Sequence, residues 1–211
     1  VTHRARHATL LAVLALPPAA GAGELHFGLL GGYADMSRAP DSAAAVFNGS
    51  TGGASFGAEA GYAFDLGVFF TGAVHYLKKD GERVFVAQAG GPVFRLGHPL
   101  SVRIVPVALT GGYRFLRGSL VSPYVGLGLG IASYREESTV GGIAQSQSES
   151  KLESHALAGV VVGRGRFRLG VEGAYSRIPD TIGIGGVSKL YGEDDVGGWA
   201  FFGKLIFTLG D

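Results

Sequence analysis

From Leu25 onward, apolar side chains fall at every second position over eight stretches, with glycine, small or polar residues between them. A period of two is a strand signal, because successive strand side chains point to opposite faces. The pattern predicts strands at Leu25–Ala34, Ser55–Phe64, Val68–Leu77, Ser101–Phe115, Pro123–Tyr134, Ser154–Val162, Arg166–Ser176 and Gly198–Leu209. Their connections fall into two kinds. Asp65-Leu66-Gly67, Leu116–Ser122 and Gly163-Arg164-Gly165 are short, whereas residues 35–54, 78–100, 135–153 and 177–197 are long and rich in Gly, Ser, Asp, Glu and Lys. Strict alternation of short and long predicts an all-β, eight-stranded antiparallel up-and-down barrel with both chain ends at the short-turn rim. An even number of strands closes the sheet and leaves no unpaired edge.

The two faces differ in chemistry. In the last segment Trp199, Phe201, Gly203, Leu205, Phe207 and Leu209 share one side, and Ala200, Phe202, Lys204, Ile206 and Thr208 the other. The seventh sets Phe167, Leu169, Val171 and Tyr175 against Arg166, Arg168, Glu172 and Ser176; the second sets Phe56, Ala58, Ala60, Tyr62 and Phe64 against Glu59 and its small neighbours. Ionised groups pointing into hydrocarbon cost roughly 2–4 kcal/mol each at a bilayer midplane. The charged face therefore belongs inside and the apolar face outside, the inverse of a soluble ligand-binding barrel. In this reading Arg103 alone falls on the lipid-facing register of a strand, near its loop end, where its long side chain can reach the interface.

Composition supports a membrane barrel over a globule. Glycine is 37 of 211 residues and sits inside the apolar runs as well as in turns. Mean hydropathy is positive at +0.27, yet beyond the first residues no apolar stretch reaches the ~20 residues of a spanning helix. In lipid, only helices and closed barrels satisfy their own backbone. Residues 1–22 are set apart: Arg4 and Arg6, the apolar run Ala8–Leu16 and the small residues Ala20-Gly21-Ala22 predict a cleavable signal peptide, with the barrel domain at 23–211. Removing that leader removes two arginines and no acids, so the remainder is close to neutral and offers no electrostatic case for nucleic acid. With no cysteine, a lipid-anchored lipoprotein is excluded.

Aromatic residues fall into two belts, as expected where amphipathic rings meet both interfaces of a bilayer. Phe27, Phe64, Phe115, Phe167 and Phe207 lie near the short turns; Tyr33, Phe56, Tyr76, Tyr175 and Trp199 lie near the long loops. The segment Val121-Ser122-Pro123-Tyr124-Val125-Gly126-Leu127-Gly128-Leu129-Gly130, following Gly111-Gly112-Tyr113-Arg114-Phe115, resembles the middle hairpin of small eight-stranded outer-membrane proteins of the OmpW, OmpX and opacity-protein type. That resemblance implies a place in the bacterial outer membrane with termini in the periplasm, contact with its lipid and lipopolysaccharide, and passage through the outer-membrane assembly machinery. The signal read by that machinery is a terminal aromatic, and here the last aromatic is Phe207 in Phe207-Thr208-Leu209-Gly210-Asp211.

Eight strands enclose a space that inner side chains fill. The expected lumen carries Glu59, Arg114, Arg168, Glu172 and Lys204, together with His26 and His75. Glu59, Lys204 and Glu172 lie at similar heights above their rims and are expected to form an ionic cluster, since pairing offsets the desolvation of buried charge. Read structurally, the cluster is a plug; read functionally, it lines a gated path for ions or small or hydrophobic solutes, as the OmpW resemblance implies. A lipid-modifying enzyme is a third class. Against it, no histidine is followed two positions later by serine, and Ser154 and His155, adjacent in a strand, face opposite sides. No catalytic, cofactor-binding or metal-binding set emerges: Gly126–Gly130 lies within a strand pattern with no helix behind it, and no His/Cys/Asp spacing suits a metal. Specificity is left to the loops, whose ligand is unknown. Of these, Gln145–Ser150 reads as mobile and solvated, Val84–Ala87 can extend the third strand, and Ile182–Tyr191 is apolar enough to cap the mouth or hold a hydrophobic ligand.

Overall fold

The computed structural model of the chain describes residues 23–209; the signal-peptide reading of residues 1–22 lies outside the described residues. Eight antiparallel strands close into one barrel: β1 (Gly23–Asp35), β2 (Gly52–Phe64), β3 (Val68–Val86), β4 (Val93–Arg114), β5 (Val121–Val140), β6 (Ile143–Val162), β7 (Phe167–Arg177) and β8 (Trp199–Leu209). Each strand pairs with its sequence neighbours, and β8 returns to β1 in a register running from Leu25↔Leu209 to Ala34↔Ala200.

The two faces separate along every strand. Leu29, Val107, Leu127, Ile131, Leu169 and Phe201 point outward and are each more than half exposed, while Glu59, Glu172 and Lys204 are buried inside. So large an apolar surface is sustainable only where hydrocarbon covers it.

Two of the four long connections are corrected by the structure. Residues 78–100 are not a loop: β3 and β4 continue beyond the barrel as a ribbon and turn only at residues 87–92. Residues 135–153, including Gln145–Ser150, likewise belong to β5 and β6, which stay in register to Val140↔Ile143 and turn at Gly141-Gly142. Above the membrane both faces of a ribbon meet water, so the apolar alternation that marks a strand disappears although the backbone ladder continues. The Gly-Gly turn has φ of +58° and +80°, the left-handed values a two-residue hairpin needs at both positions.

The remaining long connections carry short helices, α1 (Pro40–Val46) between β1 and β2 and α2 (Gly186–Tyr191) between β7 and β8. They fold over the mouth between the ribbons. The interior is thus layered. Toward the ribbon end it is apolar, with Met36, Ala43 and Phe47 packed on Leu77, Leu100, Val102, Ile104, Tyr134, Ile178 and Val196. Toward the short-turn end a smaller cluster of Phe69, Tyr124, Val161 and Ile206 lies among ionised side chains.

Candidate functional site: the charged lumen and the capped mouth

The charged residues expected inside the barrel divide into two clusters. In the first, Lys204 Nζ lies 2.8 Å from Glu59 Oε2 and 2.9 Å from Glu172 Oε2. Tyr124 donates its hydroxyl hydrogen to Glu172 Oε2 at 2.8 Å, and Lys204 Nζ lies 3.4 Å from the same hydroxyl oxygen and 5.4 Å from the centre of the ring. Backbone register explains the meeting. Glu59 stands opposite Gly28, where a Cβ would come within 2.7 Å of the Glu59 side chain, so the absence of one on β1 lets the carboxylate cross toward β8. Lys204 stands opposite Gly170, diagonal to Glu172 on the same face.

Arg114 and Arg168 do not join that cluster. They grip Glu24 nearer the short turns: Arg168 forms a fork, Nη1 to Oε1 at 2.8 Å and Nη2 to Oε2 at 2.7 Å, and Arg114 Nη1 donates to Oε1. A two-pronged guanidinium–carboxylate pair is among the stronger and more directional ionic contacts. Glu24 falls outside the expected lumen set because it precedes the first alternating residue, Leu25. The strand begins earlier than the alternation does, at Gly23.

The interior holds a cavity of about 120 Å³ lined by His26, His75, His155, Thr71, Thr110 and Glu153 among others. His26 Nε2 is 3.1 Å from Thr71 Oγ1 and His155 Nε2 is 2.8 Å from Thr110 Oγ1. His75 packs on the Phe202 ring at 4.9 Å. Glu153 and His155 also face the lumen, Glu153 just before the expected strand because β6 begins at Ile143, and His155 within it but not counted among the lumen residues; Oε1 and Nδ1 are 3.4 Å apart. Ser154 is exposed on the outer wall, across the sheet from His155. Among the described residues no group of three or more His, Cys, Asp or Glu side chains is arranged to hold a metal ion.

On the outer wall, Phe27, Phe207 and Phe167 stand in one row across β1, β8 and β7, with 5.2 Å between the Phe167 and Phe207 rings. Phe64 ends β2 beside Phe70 at 6.3 Å, and Phe115, just past the end of β4, lies beside Tyr113 at 5.0 Å. Toward the ribbons, Phe56 faces Tyr76, Tyr175 meets Trp199 at 4.8 Å, and Tyr33 faces Phe201.

The mouth is held by acids that alternation cannot reveal. The Glu193 carboxylate accepts from the backbone N–H of Asp41 (2.9 Å) and Ser42 (2.8 Å), tying the start of α1 to the β7–β8 connection. Asp195, 2% exposed, accepts from the N–H groups of Ile178 and Gly197, both at 2.8 Å, and from Nε of Arg38 and Arg177, both at 3.3 Å. Within Ile182–Tyr191, Ile182 packs on the apolar layer, Ile184 is exposed, and α2 borders a second cavity of about 430 Å³ shared with α1 and the ribbons.

Three solved structures with this architecture are distant in sequence. The chain is similar to Neisserial surface protein A at 16% identity and a TM-score of 0.53, covering 88% of this chain and 95% of that one. It is similar to a major outer membrane protein of Thermus thermophilus at 12% identity and a TM-score of 0.54, covering 88% and 99%. It is also similar to Ail, the attachment invasion locus protein of Yersinia pestis, solved with the heparin analogue sucrose octasulfate, at 16% identity and a TM-score of 0.50, covering 88% and 99%. These likenesses are of fold. No curated protein gives a significant match. Residues 7–194 match the outer membrane protein beta-barrel domain, and with the closed eight-stranded barrel in hand the chain belongs to that family of outer-membrane proteins.

Proposed function

We propose that this outer-membrane protein is a non-catalytic, non-conducting barrel of structural or interaction type, with its termini in the periplasm and its ribbons and helices outside the cell. The observation that supports this reading is the packing inside the barrel: Lys204 joins Glu59 and Glu172 on the inner wall, and α1 with Met36 and Phe47 packs in the mouth above them. In this reading the interior cavity of about 120 Å³ holds several water molecules. Its partners in this reading are outer-membrane lipid and lipopolysaccharide, the assembly machinery during insertion, and an external ligand met by the ribbons and helices. Single-channel recording of the refolded protein tests it. The expected trace shows no stable openings; steady ion-selective openings abolished by Lys204→Ala or Glu172→Ala would establish the narrow-channel reading instead. Lipid A incubated with the protein should keep its acyl pattern in mass spectra, and a changed pattern would make it a lipid-modifying enzyme.

A further inference from the structure

Because β3, β4 and β5 run on past the apolar band, Arg103 is not the lone cation on the outer wall. The register places Lys78 directly opposite Arg103, and Arg103 directly opposite Arg135. All three share the outward face: Tyr76 and Val74 precede Lys78 on β3, Val107 and Leu109 follow Arg103 on β4, and Ile131 and Leu129 lie below Arg135 on β5, all on that face. Adjacent strands are about 4.8 Å apart, so the row spans roughly 10 Å at the edge of the hydrocarbon-facing surface.

Like charges directly opposite one another are destabilising in a sheet, and near hydrocarbon the repulsion is screened less than in water. The outer two members have partners on the far side from the membrane, Asp80 Oδ1 at 3.3 Å from Lys78 and Glu137 Oε1 at 2.7 Å from Arg135. Arg103 has no such relief. The residue two positions further out is Ser101, no carboxylate of the described residues lies within 4.0 Å of it, and its Nε is buried with no hydrogen-bond partner. Its guanidinium lies over the Tyr76 ring at 6.0 Å.

We infer that Lys78, Arg103 and Arg135 form a docking site on the barrel wall for the phosphate of a multiply phosphorylated glycolipid of the outer leaflet. A phosphate there sits at the level where the apolar side chains end, which is where a lipid carries its headgroup. It answers the fork of Arg103 with two acceptor oxygens and removes the repulsion along the row, while the acyl chains lie on Val107, Leu109, Leu129 and Ile131. The site rests on the orientation proposed above, with the ribbons outside.

The test is titration of lipopolysaccharide, and separately of phosphatidylglycerol, into the full chain refolded in phosphatidylcholine nanodiscs. The combined Lys78→Gln, Arg103→Gln, Arg135→Gln variant is compared with Lys189→Gln, which lies on α2 and not on the three strands that carry the row. A charge-assisted hydrogen bond contributes about 1.5–3 kcal/mol and 1.4 kcal/mol is tenfold, so the row variant should bind lipopolysaccharide at least about tenfold more weakly while Lys189→Gln binds as the parent does. Arg103→Gln alone, the least disruptive change, should account for most of the loss and keeps the question answerable if the triple variant does not refold. Equal binding by parent and row variants would overturn the site, and so would binding of phosphatidylglycerol as tight as that of lipopolysaccharide. Orientation is read separately, by labelling a Ser146→Cys variant of this cysteine-free chain with a membrane-impermeant maleimide on intact cells; failure to label would sink the orientation while leaving the nanodisc result to judge the site.

Discussion

Lys204 on β8 bridges to Glu59 on β2 at 2.8 Å although β1 lies between their strands, so the pair reaches over the inner face of β1, where Gly28 leaves room for it. With Glu172 it makes one buried ammonium serve two buried carboxylates. Taking away the cation leaves two like charges face to face in a low-dielectric interior. Lys204→Met should therefore cost about 3–5 kcal/mol, measured by urea unfolding in phospholipid vesicles. Adding Glu59→Gln and Glu172→Gln to Lys204→Met should recover much of that loss, because the uncompensated charge is gone. A single variant as stable as the parent would show that the bridge does not hold the barrel closed.

Gly32 on β1 lies so close to β8 that a Cβ would sit 1.9 Å from the carbonyl oxygen of Phe201. Backbone cannot yield as a flexible side-chain end can. Gly32→Ala should destabilise the β1–β8 seam, where the two ends of the chain meet, by about 1–3 kcal/mol. The readout is a lower temperature for loss of the compact folded band on unheated gels. Gly53→Ala, where the nearest atom to an added Cβ is the end of Leu77 at 3.5 Å, is the matched control and should change little.

Acid should loosen the mouth before it touches the strands. Burial alone would raise the Asp195 pKa, but the N–H groups of Ile178 and Gly197 and the guanidinium groups of Arg177 and Arg38 outweigh it and hold the carboxyl below the ordinary value of 3.8. A carboxyl depressed on folding contributes stability that is fully present above its unfolded pKa, near 3.9, and is lost as pH falls through the folded value. The fluorescence of Trp199, beside this connection, should thus change below about pH 4 while far-ultraviolet circular dichroism still reports strands. Asp195→Asn should abolish that acid transition and weaken the mouth at neutral pH. An unaltered transition in the variant would assign it to another group.

The barrel itself is readable because each membrane-crossing strand has two different solvents on its two faces. Leu127, Leu129 and Ile131 against Gly126, Gly128 and Gly130 carry the alternation, and Glu59, Glu172 and Lys204 mark the inner face wherever they interrupt it. Above the membrane that contrast vanishes. The strand character of Gln145–Ser150 leaves no mark in its side chains, and the one signal nearby is the Gly141-Gly142 pair, which fits a two-residue hairpin. The same blindness conceals the row Lys78–Arg103–Arg135: strands that end at Leu77 and Tyr134 leave Arg103 standing alone, and only the continued ladder supplies its neighbours.

Alternating polarity determined by itself that eight strands cross, which side faces lipid and that Glu59, Glu172 and Lys204 point inward, because transfer of side chains between water and hydrocarbon acts on each position separately. Only the folded barrel decided which inward charges meet. Partner choice depends on the stagger between strands distant in sequence, and it set Arg114 and Arg168 on Glu24 while giving Glu59 and Glu172 to Lys204. The seating of α1 in the mouth under the grip of Glu193 was decided at the same level, since hydrogen bonds between residues 151 and 152 positions apart leave no periodic trace in either segment.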